Sequence, residues 1–123
     1  MTTLDLYAVT VDSIDAVHLA GFWAAVLDRD VDDGGSEEFA SIGLGDPAPD
    51  RPHWTFVKVP ERKRVKNRVH VDLISNSRDR EVKRLLSLGA THVADIDEDG
   101  NRWTTRADPG GNEFDIIAGN GRD

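Results

Sequence analysis

His70 and Asp115 are the side chains in this sequence best suited to chemistry. His70 lies in Arg68-Val69-His70-Val71-Asp72-Leu73, where polar and apolar residues alternate. In an extended strand this alternation puts Arg68, His70 and Asp72 on one face and Val69, Val71 and Leu73 on the other. Asp115 lies in Glu113-Phe114-Asp115-Ile116-Ile117, which sorts Glu113, Asp115 and Ile117 against Phe114 and Ile116 in the same way. An imidazole beside a carboxylate can carry a proton as general base or acid, or it can form a structural hydrogen bond. The spacing leaves both open, with either Asp72 or Asp115 as the partner. Arg68 offers a bidentate donor to an anionic ligand group, or an ion pair with Asp115 or Glu113. Glu113 can equally hold the turn at Asn112.

The elements that must carry these residues follow from periodicity and turn chemistry. A strand is predicted over 4–11, then a helix over 14–27 capped by Asp12 or Ser13. Its stripe is Val17, Ala20, Gly21, Ala24 and Leu27, widened by Phe22, Trp23 and Val26, so the helix should be well buried. Strands are predicted over 37–44 and 54–59, separated by a loop whose three prolines preclude an interior strand. The basic run Arg62-Lys63-Arg64 reads as a solvated linker. The same order then recurs: a strand over 68–74, a helix capped by Asn76 or Ser77 and stopped by Gly89, and a short strand over 91–94. A hairpin turn at Asp99-Gly100, a strand over 101–106, the turn at Asp108-Pro109 and a final strand to 117 complete it. The tail beyond 118 should fray.

The two halves keep register. Asp46-Pro47 precedes Asp108-Pro109 by the same spacing that separates Val31 from Val93 and Ala8 from His70. This is one β-α-β-β-β unit used twice, in modules of about 1–60 and 66–119. Two such units can pair strand edges, cover their outer faces with helices and curl around a shared cavity. The expected fold is therefore α+β: two tandem β-α-β-β-β modules forming a curved mixed sheet around one cavity, in a single domain over 1–123. Trp54, Phe56 and Lys58 are assigned to the cavity face. With Trp103, the aromatic pair could line a ligand pocket, or each could be ordinary core.

Composition narrows the classes. The absence of cysteine excludes a disulfide scaffold, a thiolate zinc site and a cysteine nucleophile. A formal net charge of −8 argues against nucleic acid and anionic membrane as partners. No basic-then-apolar leader and no membrane-length apolar run is visible, which makes the cytoplasm the expected location. Neither Gly34-Gly35 nor Gly110-Gly111 opens a helix, so neither cradles a phosphate.

Several stretches together resemble a known family. They are Phe22-Trp23-x-x-Val26-Leu27, Val59-Pro60-Glu61, Lys66-Asn67-Arg68-Val69-His70-Val71-Asp72-Leu73, Leu85-Leu86-x-Leu88-Gly89-Ala90 and Asp108-Pro109-x-Gly111-Asn112-Glu113-Phe114. The chain is similar to the vicinal oxygen chelate superfamily of glyoxalase I, bleomycin-resistance proteins and extradiol dioxygenases, in its glyoxalase-like branch. The resemblance implies a divalent metal (Zn, Ni, Mn or Fe) with ligands on the first and last strands of each module. His70 and Asp115 occupy the two second-module positions. Ala8 and Phe56, or His53 if the proline loop is aligned without a gap, fall at the other two, so the ligand set is incomplete. Two functions are implied. One is a lyase or isomerase in which His70 and Asp115 hold a metal or shuttle a proton, with Trp54, Phe56, Arg68, Trp103 and Glu113 shaping the substrate site. The other is a non-catalytic, drug-sequestering binder of small molecules. A homodimer is implied in either case.

Overall fold

The computed structural model describes residues 2–45 and 51–119. The repeat partner Asp46-Pro47, most of its proline loop and the tail beyond Gly119 lie outside the described residues. The chain divides into two compact units, Met1–Arg62 and Lys63–Asp123. Each carries one helix and one mixed sheet, so the fold is α+β.

The first unit holds β1 (Ala8–Ser13), α1 (Ala16–Leu27), β2 (Phe39–Ile42) and β3 (His53–Lys58) in sheet order β1-β3-β2. β1 runs parallel to β3, and β2 antiparallel to it. The first strand starts later than its alternation suggests, and Leu4, Leu6 and Tyr7 are exposed ahead of it. The helix is capped by Asp15, not by Asp12 or Ser13: the Asp15 carboxylate accepts from the His18 N–H at 3.3 Å. Ser13 supports that cap by donating to the Asp15 carbonyl at 3.0 Å. The buried face of α1 includes Ala16, Leu19, Ala20 and Trp23, and Val17 and Gly21 are exposed.

Trp54 and Phe56 anchor this unit. Trp54 stacks on Trp23 of α1 with ring centroids 5.1 Å apart, and Phe56 is wholly buried. The face of β3 that carries them is therefore the helix-covered face. Trp54 and Phe56, expected to line a ligand pocket, pack here against the helix. The large rings fill the space under a helix that presents Ala16, Ala20 and Ala24 among its buried residues.

The strand that the repeat places at Val31, directly after α1, is reduced to a single bridge between Val31 and Ile42. The Asp32 side chain replaces the ladder: it accepts from Ser41 Oγ at 2.7 Å, Leu44 N at 2.9 Å and Gly43 N at 3.2 Å. Burial pushes its carboxyl up, but these donors and nearby Arg29 outweigh that and hold it below the usual aspartate value.

The second unit holds β4 (Asp72–Ser75), α2 (Arg78–Leu88), β5 (Thr91–Glu98), β6 (Asn101–Ala107) and β7 (Glu113–Ala118), the full β-α-β-β-β order. The sheet order is β4-β7-β6-β5, with β4 parallel to β7 and the other pairs antiparallel. Gly89 ends α2 in the left-handed region, with φ 114°. Asp99 and Gly100 also have positive φ, 53° and 80°, as a two-residue hairpin loop with right-handed strand twist requires. That turn extends β5 well past Ala94, with a bulge between His92 and Ala94. Phe114, Ile116 and Leu85 are buried where α2 packs on β4 and β7.

β4 also begins later than expected. Arg68 and Val69 are bends, and Val69 is exposed instead of packed. The preceding segment is no free linker. Lys63 Nζ donates to Glu113 Oε1 at 2.5 Å and to the Val65 carbonyl at 2.7 Å. The Asn67 N–H donates to Glu113 Oε2 at 3.0 Å, and its side-chain amide to Asn112 Oδ1 at 3.1 Å. The carboxylate of Glu113 thus straps the entry of β4 to the head of β7.

Candidate metal centre

The face of the second sheet opposite Phe114 and Ile116 is assembled by register. Parallel pairing sets Asp72 beside Asp115, and antiparallel pairing continues that row through Thr105 to Ala94. The next row runs Ile74, Ile117, Trp103 and Ile96 across all four strands. A polar row therefore lies against an apolar one, with Trp103 and Ile117 half-buried and Ile74 exposed.

His70 joins the polar row just ahead of β4. Its Nδ1 lies 3.1 Å from Asp72 Oδ1 and 3.8 Å from Asp115 Oδ2. One ligand atom from each of His70, Asp72 and Asp115 falls within 4.8 Å of the others. Asp115 is the fixed member. Its side chain is 17% exposed against 50% for Asp72, and its Oδ1 accepts from Thr105 Oγ1 at 2.6 Å. One neutral nitrogen and two carboxylates, open to solvent on one side, fit a borderline or hard divalent ion with coordination positions to spare. The Thr105 hydroxyl would then orient a ligand from behind.

Asp72 is the donor that sequence reasoning did not count. The signal was present: it lies two residues beyond His70, on the same face of an alternating run. Only the parallel register to β7 brings it beside Asp115. Ala8, at the matching first-unit position, has no donor atom, and Phe56 is core. His53 stands edge-on to Tyr7 with centroids 4.8 Å apart.

The remaining candidates separate. Trp103 lies on the open face, next to the cluster row. Arg68 is exposed at its bend and forms no ion pair with Asp115 or Glu113 among the described residues. Glu113 accepts from Lys63 and from the Asn67 N–H. Burial pushes its carboxyl up, but the Lys63 ammonium and the Asn67 N–H outweigh that and hold it below the usual glutamate value.

The second unit is thus a mixed sheet with one helix-covered face and an opposite face on which a His-Asp-Asp cluster borders an apolar row. A family model described as a glyoxalase-like domain matches residues 8–117, and the chain belongs to that family. No curated protein matches the chain. Solved structures of the glyoxalase, bleomycin-resistance and fosfomycin-resistance (vicinal oxygen chelate) superfamily share the fold. A glyoxalase/bleomycin resistance protein/dioxygenase family enzyme from Burkholderia phytofirmans is 19% identical with TM-score 0.70, covering 93% of this chain and 98% of its own. The fosfomycin resistance protein FosX from Listeria monocytogenes, in complex with Mn(II) and a dihydroxypropylphosphonic acid, is 12% identical with TM-score 0.72, covering 97% and 92%. The bleomycin-binding protein from Streptomyces verticillus, in complex with copper(II)-bleomycin, is 16% identical with TM-score 0.62, covering 97% and 99%. No helix among the described residues is long and apolar enough to cross a membrane.

Proposed function

We propose that this chain is a glyoxalase-like lyase or isomerase that holds one divalent ion on His70, Asp72 and Asp115 and takes a small amphipathic substrate on the same sheet face. The observation that carries this reading is the convergence of those three side chains within 4.8 Å, with Asp115 pinned by Thr105. When bound, the ion supplies Lewis-acid polarisation of substrate oxygens. The protein supplies the rest. The Ile74, Ile117, Trp103 and Ile96 row binds the apolar part of the substrate beside the polar row. In a metal-independent form, the His70–Asp72 pair is a proton carrier for abstraction next to a carbonyl. Support from relatives is at the level of ligand class: one is complexed with Mn(II) and a phosphonate.

The apolar row favours a second reading, a binder without chemistry, since it would serve a sequestered aromatic molecule equally well. We assign both units to one domain, which the continuous family match supports, and the working form to a cytoplasmic homodimer, which sedimentation equilibrium would test. Thermal-shift titration with phosphonates, α-hydroxy carbonyl compounds and bleomycin, each with and without Mn(II), separates the readings. Metal-dependent ligand stabilisation that disappears in Asp115→Ala supports the enzyme. Stabilisation by an aromatic ligand that ignores metal and Asp115→Ala but disappears in Trp103→Ala supports the binder. No stabilisation by any of them contradicts both.

A further inference from the structure

Of the three donors in the cluster, His70 is the one that no strand carries. β4 begins only at Asp72, and yet the imidazole stands 3.1 Å from Asp72 and 3.8 Å from Asp115. Two anchors fix the backbone on either side of it. Downstream, the Val71 carbonyl accepts from the Asp115 N–H at 3.1 Å. Upstream, the Asn67 N–H donates to Glu113 Oε2 at 3.0 Å, and the Asn67 side-chain amide donates to Asn112 Oδ1 at 3.1 Å. Between the anchors lie Arg68, Val69 and His70. Arg68 and Val69 are bends, and Val69 is 82% exposed, so apolar packing does not hold this arch in place.

The upstream anchor is well made. The Glu113 side chain is 18% exposed, and its two oxygens divide their work: Oε1 accepts from Lys63 Nζ and Oε2 from Asn67. Hydrogen bonds to an ionised carboxylate are the stronger kind, and partial shelter from water strengthens them further. Asn112 adds a second grip. Its Nδ2 donates to Asp108 Oδ2 at 3.0 Å, which leaves Oδ1 for Asn67. Glu113 and Asp115 lie two residues apart on β7, so the strand that supplies one donor of the cluster also clamps the arch that supplies another.

We propose that Glu113 is a positioning residue for the metal centre, acting through His70. It builds on the reading of His70, Asp72 and Asp115 as an ion site. Without the clamp the arch is tethered at its Val71 end alone. An incoming ion then has to order His70 as it binds, and the free energy spent on ordering is taken from the affinity.

The test pairs Mn(II) calorimetry with backbone ¹⁵N relaxation on the metal-free, intact protein, below the melting temperature of every variant. Glu113→Ala should weaken Mn(II) binding about tenfold, as loss of an outer-shell support does. In the same variant, without metal, the amides of Val69, His70 and Val71 should become more mobile while those of Thr105 and Ile116 do not. Glu113→Gln keeps an acceptor for one of the two donors. It should fall between wild type and Glu113→Ala in both measurements, and it provides the test should the alanine variant fail to fold. Thr105→Val, which acts on Asp115, should weaken Mn(II) binding and leave the arch as ordered as in wild type. Wild-type protein that binds no Mn(II) contradicts the ion site and the proposal with it. Mn(II) binding by wild type with an arch that stays ordered in both Glu113 variants overturns the clamp alone. So does a mobile arch with unchanged Mn(II) affinity, or an arch loosened equally by Thr105→Val.

Discussion

Thr105 Oγ1 donates to Asp115 Oδ1 at 2.6 Å, and this leaves Asp115 Oδ2 turned toward the His70 imidazole at 3.8 Å. The bond crosses from β6 to β7 at a directly paired position, so the sheet ladder itself aims the carboxylate. Thr105→Val keeps the shape of the side chain and removes the hydroxyl. It should weaken binding of a divalent ion about 10-fold or more, the usual consequence of losing an outer-shell hydrogen bond. Calorimetric titration with Mn(II) measures it. Unchanged affinity would mean that Thr105 does not orient the carboxylate.

The strap between Glu113 and Lys63 should make stability depend on pH. Glu113 has a lower pKa folded than unfolded, so its contribution is complete above the ordinary glutamate range and is lost as pH falls through the folded value. Glu113→Gln should cost about 1 kcal/mol near neutral pH, an ion-pair hydrogen bond discounted for partial exposure. The gap to wild type should narrow as pH falls below the ordinary glutamate range and close once Glu113 is protonated in the folded protein. Urea unfolding across that range provides the comparison, and a gap that persists in acid would show that the charge is not what matters.

Trp54 and Trp103 should behave as opposites. Trp54 is stacked under α1, so Trp54→Ala should cost about 3–5 kcal/mol of stability. Trp103 is half-buried on the open face, so Trp103→Ala should cost about 1–2 kcal/mol and lower ligand affinity instead. Unfolding curves and ligand titrations on both variants separate the roles. A stable Trp54→Ala protein with weakened ligand binding would reverse the assignment.

The turn before β7 rests on one carboxylate. Asp108 Oδ1 accepts from Gly110 N and Asn112 N, each at 2.9 Å, and Oδ2 accepts from the Asn112 amide at 3.0 Å. Asp108→Ala leaves those donors short of a partner and should cost about 2–3 kcal/mol. Asp108→Asn, which keeps one acceptor oxygen, should recover part of that in the same denaturation experiment. No loss in the alanine variant would mean that water replaces the carboxylate at this turn.

Local signals were the most legible part of this chain. Asp99-Gly100 and Gly89 carry their structural meaning in their own backbone preferences, and Phe114 with Ile116 marks a covered face without help from elsewhere. Boundaries set by distant contacts were not legible. β4 starts at Asp72, behind a segment whose Asn67 N–H is taken by Glu113, far along the chain. The strand that the repeat places at Val31 is a single bridge beside the hydrogen bonds of Asp32. Alternation correctly put Trp54 and Phe56 on one face, but it could not say which face α1 covers. His70 and Asp115 were evident as a pair; Asp72 became a third donor only through parallel register.

The central claim is that His70, Asp72 and Asp115 hold a divalent ion. The direct measurement is metal content by elemental analysis after equilibration with Mn(II), Ni(II), Zn(II) or Fe(II) and dialysis, in wild type and His70→Ala. One retained ion per chain in wild type, lost in His70→Ala, is the expected result. No retained ion from any of the four metals, or equal retention in both proteins, would contradict it.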